Sequence, residues 1–206
     1  SEVSVEKIGF GFESTDQTKE STERWFPYNK GGDARRWFGN AELVVNWEDD
    51  GIEIKNNFNS NGKLRSRPQN TKFYFKEAVT WADITTNFFA ARYSPQGFIF
   101  DVKGSSGFPI EQDIEIPLAL LNSALLPVYM RILNPTTTFQ VGDLSRIPVL
   151  RIDDTLAEVK ENTSELVSLA RSDWDAYETS WDFTTLPLLQ PDHRADTLEA
   201  TYTALR

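Results

Sequence analysis

Between Trp25 and Phe108 the apolar residues arrive in short runs, each stopped within a few positions by Gly, Asn, Asp or Pro. Leu43 to Trp47, Phe73 to Phe75 and Phe98 to Val102 are rich in aromatic and β-branched residues, which suit a pleated, half-buried surface and lose side-chain freedom in a helix. This pattern commits the first half of the chain to short strands joined by loops. Residues 1 to 22 mix Gly9 and Gly11 with Ser, Thr and acids and carry too few periodic apolar positions for a helix, so they read as a strand entry and loop. The polar stretch from Asn56 to Pro68, punctuated by Gly62 and Pro68, is expected to be an exposed loop.

Helical signals follow. Pro117 opens an apolar segment, Leu118 to Leu126, that suits a buried helix with Pro in its first turn, and Pro127 is expected to kink or end it. Asn134-Pro135-Thr136 and Gly142-Asp143 mark turns, and Ile147-Pro148-Val149 reads as an extended piece before a boundary near Arg151. Beyond it, Asp153 or Asp154 is placed to cap a helix in which Leu156, Val159, Thr163, Leu166 and Ala170 recur at spacings of three and four. A second such seam follows Pro191 and the candidate cap Asp192, through Ala195, Leu198, Tyr202 and Leu205, and runs so close to Arg206 that the chain is expected to be a fragment of a longer polypeptide. The expected class is α+β: a mixed sheet-containing domain over residues 1–151, then a helical spacer or hairpin over 152–206.

Composition narrows the function classes. The 206 residues suffice for a real core, no apolar run approaches the roughly 20 residues needed to cross a bilayer, and the absence of Cys removes disulfides and thiolate metal sites. Cytoplasmic residence is the simplest expectation. A net charge of −10 argues at first against nucleic acid, since DNA binding draws on cations that displace counterions from phosphates. The average hides a segregation: residues 19–103 hold 13 Lys and Arg against 11 acids, whereas residues 152–206 hold 4 against 12. The middle of the chain therefore keeps the capacity to face a polyanion.

No catalytic constellation stands out. Gly9-Phe10-Gly11 lacks the third Gly and following helix of a dinucleotide loop and reads as a turn. Asn134-Pro135-Thr136 matches only the first half of the Asn-Pro-Pro-aromatic motif with which amino-methylating enzymes hold a target amine, and an ordinary turn accounts for it. His193 has no partner at hydrolase or zinc spacing, and Asp49 and Asp50, next to Gly51, read as an exposed turn rather than a metal or acid–base pair. A self-contained nuclease or hydrolase ranks last.

Binding features are better supported. The run from Trp25 to Asn40 interleaves aromatics, a Gly pair and tandem cations, so that its backbone amides and the cations Lys30, Arg35 and Arg36 suit phosphates while Asn29, Asn40 or an Arg suits base edges. Trp25, Trp37, Trp47 and Trp81 read as core rather than stacking platforms. In the second run, Lys63, Arg65, Arg67, Gln69 and Asn70, with Lys72 beyond, alternate donors with small residues, and Arg to guanine or Gln and Asn to adenine are the usual means of major-groove discrimination. Lys103 and Ser105, in a small-residue turn after a strand, complete the candidate DNA-binding set.

Several strings resemble a known family: Phe26 to Asn40, Val44 to Gly51, Phe73 to Trp81, Phe98 to Ser106, Asn134 to Val149 and Ser172 to Phe183. Together they are similar, across nearly the whole chain and in the same order, to the C-terminal region of the PglX family, the adenine-specific DNA methyltransferases of BREX phage defence. The Asn134 to Val149 element is shared more widely among restriction-modification enzymes that fuse methylation to target recognition. The resemblance implies an upstream Rossmann-like domain that binds S-adenosylmethionine, a target-recognition domain within this chain, and C-terminal helices acting as spacer or docking surface. The parent enzyme would extrude an adenine while the recognition domain grips flanking base pairs, methylating host DNA for self/non-self discrimination. This chain, with neither the cofactor loop nor the catalytic motif, is expected to hold no cofactor and to be inactive alone. Its expected partners are double-stranded DNA, the upstream methyltransferase domain, and other BREX proteins or phage DNA-mimic inhibitors. The rival reading is an acidic protein-docking module of the defence complex.

Overall fold

The computed structural model describes residues 2–86, 88–109, 113–149 and 155–205. Its strands are β1 (Trp25–Asn29), β2 (Val44–Asn46), β3 (Ala78–Ala82), β4 (Ala91–Ser94), β5 (Ile99–Phe100) and β6 (Gly104–Gly107). They form two three-stranded sheets. In the first, β1 lies between antiparallel β2 and parallel β5; in the second, β3 lies between β4 and β6, both antiparallel to it. The helices are α1 (Glu48–Lys55), α2 (Glu115–Asn122), α3 (Leu125–Leu133), α4 (Val141–Leu144), α5 (Leu156–Asp175) and α6 (Leu198–Leu205), and the fold is α+β as expected.

Each sheet has its own core. Phe26, Trp47, Tyr74, Phe75 and Ile99 cluster behind the first, with Phe26 meeting Phe75 edge-on at 5.5 Å and Trp47 meeting Tyr74 at 5.0 Å. Such edge-to-face pairs add about 0.5–1.5 kcal/mol to the area they bury. Gly51 belongs to this core: its φ is +72°, and a methyl there would meet the Trp47 ring at 2.7 Å. Behind the second sheet, Val79, Trp81 and Ala91 pack on Leu118, Leu126, Met130 and Leu144 of the helices. Asn122, buried at the end of α2, accepts from the Ala91 N–H at 3.0 Å and donates to its carbonyl at 2.9 Å, so a side-chain amide continues the ladder beyond β4. Helix α5 packs on α2, and Trp174 near its end is buried.

Several local expectations are corrected. Phe73–Phe75 is not a strand: Thr71–Phe73 is a single 3-10 turn and Phe75 stands at φ +67°, which a strand cannot contain. Residues 2–22 hold two short 3-10 turns, Val5–Lys7 and Asp16–Lys19, and meet the first sheet through a bridge from Ile8 to Trp25 and through Phe12, which packs edge-on against Phe26 at 5.0 Å. The apolar segment after Pro117 breaks at Ser123 rather than at Pro127. The Ser123 hydroxyl accepts from the Leu125 N–H, a new helix starts there at 74° to the last, and Pro127 falls in its first turn, where a missing N–H costs nothing. Gly142 and Asp143 lie inside α4 rather than in a turn.

On α5 it is Val167, not Leu166, that reaches the core, because a spacing of four from Thr163 continues the buried face. Pro191 opens only a 3-10 turn to His193; α6 begins later, where the Thr197 hydroxyl accepts from the Ala200 N–H, so Thr197 rather than Asp192 caps it and Ala195 lies outside. Leu198 and Tyr202 face outward while Thr201 is buried. The boundary at Arg151 and the caps Asp153 and Asp154 lie outside the described residues.

Candidate nucleic-acid interface

The Asn29–Asn40 segment is built around a guanidinium that the sequence reading passed over. Arg92, 2% exposed in β4, donates to the Gly31 carbonyl at 3.0 Å and toward the Asp33 carbonyl at 3.4 Å. Burial pushes its pKa down to about 10, the direction expected when a charge leaves water. The signal was present as a cation inside the apolar run Phe88 to Tyr93. The same two carbonyls accept from the Asn40 side chain at 3.2 and 2.9 Å, with Asn40 itself left-handed at φ +57°. Gly31, at φ +89°, lies so close to the Lys103 carbonyl that no side chain fits.

Neighbouring candidates are also engaged. Asn29 donates to the Ser94 hydroxyl at 2.7 Å and ties the two sheets together. Arg35 donates to the Phe38 carbonyl and to Asp173 of α5, with its guanidinium 5.1 Å over the Trp174 ring. Arg36 is exposed but lies 5.2 Å over Phe88, and Lys30 is exposed. Trp47 and Trp81 are core residues as expected, while Trp25 and Trp37 are half-buried.

The second segment is arranged differently. After α1 the chain turns on itself through a bridge between Phe58 and Leu64, and the Asn59 carboxamide accepts from the backbone N–H of Asn61 and Lys63. The Ser66 hydroxyl fastens the return to the Ile54 carbonyl at 2.5 Å. Lys63, Arg65, Arg67, Gln69 and Asn70 are exposed, and none of their side chains has a hydrogen bond or ion pair within the described residues. Arg67, Gln69 and Asn70 stand over a cleft of about 730 Å³ whose other walls include Tyr28, Trp47, Phe73, Tyr74, Phe100, Phe108, Asp83, Asp101 and Gln140.

The carboxylates within this cleft are accounted for. Tyr28 donates to Asp101 Oδ2 at 2.6 Å, while Asp101 Oδ1 accepts from the N–H groups of Lys103 and Gly104. Burial, then that hydrogen bond, raises the Tyr28 pKa well above its ordinary value; burial, then the Asp101 charge, pushes Tyr74 up to about 12. Lys103 is exposed and stands 3.6 Å from Asp83. Residues 104–107 are not the expected turn: they are strand β6, and small residues there let it approach β1 closely. Ser105 is buried and its hydroxyl donates to the Val102 carbonyl, which leaves its backbone no turn in which to cradle a phosphate.

Among the described residues no cluster of His, Asp and Glu has the geometry to hold a metal ion. The Asn134 side chain is spent within its turn, donating to Asp143 at 2.7 Å and accepting from Thr136. Asp49, Asp50 and Gly51 form a left-handed turn opening α1, and Asp50 is gripped by Lys55 at 2.8 Å rather than exposed. Gly9-Phe10-Gly11 ends in a bend at Gly11, where φ is +77°, and the next regular element is the short 3-10 turn Asp16–Lys19. No described helix is by itself long and apolar enough to cross a membrane.

Fold and cleft define an α+β module with an aromatic recess under a polar loop. No family model matches the chain. In sequence it is PglX-like: it is 41% identical over 203 residues to the adenine-specific methyltransferase PglX of Lacticaseibacillus casei (strain Zhang), covering 96% of this chain and 17% of that protein. It is 33% identical over 180 residues to the adenine-specific methyltransferase BrxX of Escherichia coli O9:H4 (strain HS), covering 86% of this chain and 14% of that protein. The resemblance read from the residues is thus borne out, over a chain that spans less than a fifth of the length of these curated relatives.

Proposed function

We propose that this chain supplies sequence-reading DNA contacts to an adenine-specific, S-adenosylmethionine-dependent methyltransferase of BREX phage defence, which marks host DNA as self. The observation that carries this is the loop from Lys63 to Asn70, where three cations and two carboxamides project into solvent with no partner of their own. Three cations on one loop suit phosphates, and free Gln and Asn carboxamides suit the paired donor and acceptor of an adenine edge. Likeness to two adenine-specific methyltransferases supports the class of reaction. In this reading residues 1–151 are the recognition domain and 152–206 the helical spacer, while cofactor and chemistry belong to an upstream domain and the enzyme works in the cytoplasm. Lys30, Arg36 and Lys103 are exposed and add phosphate contacts; Asn29, Arg35, Asn40 and Ser105 hold the frame.

The test is methylation mapping of DNA from cells carrying an intact enzyme with this segment, against one in which residues 24–103 are exchanged for those of a relative. A changed methylated motif supports the reading; an unchanged motif with normal activity overturns it. A second reading, a docking surface for the upstream domain, other BREX proteins or phage DNA-mimic inhibitors, is favoured at the C-terminal end. There Leu169, Leu198 and Tyr202 are exposed, Leu198 to 74%, within the most acidic part of the chain.

A further inference from the structure

We propose that the aromatic cleft beneath the Lys63–Asn70 loop holds one unstacked nucleobase of the bound DNA, with Arg67 on the adjoining phosphate; this rests on the DNA-recognition function proposed above. At about 730 Å³ the cleft falls within the range of sites that enclose a small organic ligand, roughly 300–1,000 Å³. One wall is aromatic: the Phe73 and Phe108 rings stack on each other at 4.7 Å and 15°, Lys72 lies 4.9 Å over the Phe73 ring, and Phe100 adjoins Phe108 at 5.3 Å, tilted by 48°. All three are only half-buried, so part of this ring surface is open in the free protein. Every base offers a π-face to such a surface.

The polar groups define the rest of the ligand. Gln69, Asn70 and Gln140 line the cleft, and their side chains each carry a donor and an acceptor with no internal hydrogen bond among the described residues. Arg67 stands beside them without a carboxylate partner. The acids on the opposite wall are already matched, Asp101 by Tyr28 and two backbone N–H groups, Asp83 by Lys103. An aromatic wall, free carboxamides and an unpaired guanidinium on one rim together answer a heteroaromatic ring with a hydrogen-bonding edge and an anionic tail. An aromatic side chain of a protein partner would leave the carboxamides and Arg67 unpaired.

Fluorescence anisotropy of the 206-residue chain with three duplexes tests this: one fully paired, one with a single bulged nucleotide, and one with a bulged abasic site. The bulged base should bind about tenfold more tightly than the abasic bulge, the low end of what one base–aromatic stack contributes. That ratio should fall toward one in Phe108→Ala, and also in Gln69→Ala, whose exposed side chain carries no part of the fold. Lys63→Glu should weaken all three duplexes alike. Equal affinity for base and abasic bulges, or a ratio that survives both variants, overturns the proposal. Salt-sensitive binding of the paired duplex alongside a ratio of one would sink the nucleobase pocket alone, whereas no binding to any duplex would sink the DNA reading with it. Displacement from the cleft by a Trp-bearing peptide but not by a mononucleotide would reassign it to a protein partner and overturn the proposal.

Discussion

Residues 29–40 and 63–70 are built from the same ingredients, cations and carboxamides with glycine nearby, and the fold uses them in opposite ways. In the first, Asn29, Arg35 and Asn40 are bonded to the frame, and Arg92 locks the backbone from beneath. In the second, only Ser66 is spent on the frame, with Asn59 folding the turn that precedes it, and five polar side chains are left over. What differs is the apolar company. Trp37, Phe38, Phe88 and Trp174 surround the first segment, and a guanidinium beside a ring is drawn into cation–π and packing contacts. The second has no aromatic residue between Gly62 and Pro68, and among the described residues none of Lys63, Arg65 and Arg67 lies over a ring, although Arg67 borders the aromatic cleft.

Alkali should strain the frame most. Tyr28, Tyr74 and Tyr93 all have pKa values raised above that of an unfolded tyrosine, with burial the largest cause in each. Between pH 10 and 12 the unfolded chain therefore loses protons that the folded chain keeps, and stability, fully present below pH 10, falls as pH rises. Tyr74 alone accounts for roughly 2–3 kcal/mol, at about 1.4 kcal/mol per unit. Absorbance at 295 nm should show Tyr28, Tyr74 and Tyr93 titrating late, together with loss of tertiary circular dichroism. Titration of these three near pH 10 in a folded chain would contradict the packing described.

Arg92→Ala comes next, since it strips a charged donor from two carbonyls and opens a cavity between strand and loop; a loss of about 3 kcal/mol in urea unfolding is expected. Arg35→Ala should cost about 1–2 kcal/mol, from an exposed ion pair and a cation–π contact at α5. Its DNA affinity, measured where the variant is fully folded, should stay within a factor of two or so, a change well below 1 kcal/mol.

Sequence patterning located β2, β5 and α5 because each shows its period within a few residues. It misplaced Phe73–Phe75 because apolar residues at a 3-10 turn and at positive φ bury as well as those in a strand, and composition does not distinguish them. The break at Ser123 was hidden since a hydroxyl that starts a helix looks like any small polar residue, whereas Pro127 was conspicuous and harmless. The site was half legible. Free cations at 63–67 follow from Gly and Pro punctuation, but Arg35 and Asn40 are captured by residues 138 and 7–9 positions away, contacts that no local pattern encodes. The cleft needs Phe73, Phe100 and Phe108 from three separate segments and was not visible at all.

The smallest effect on stability should be the most informative about function. Changing Lys63, Arg65 and Arg67 together to Glu touches no internal bond, and surface substitutions of this kind move stability by only about 0.5 kcal/mol. If these residues neutralise phosphates, each should take close to one unit from the slope of log affinity against log salt, so the triple variant should lose about three. A triple change at this loop that alters stability but not the salt slope would mean that its charges are as structural as Arg35, and the contrast between the two segments would disappear. A lost slope at unchanged stability would instead place the DNA contacts on the segment the fold leaves unoccupied.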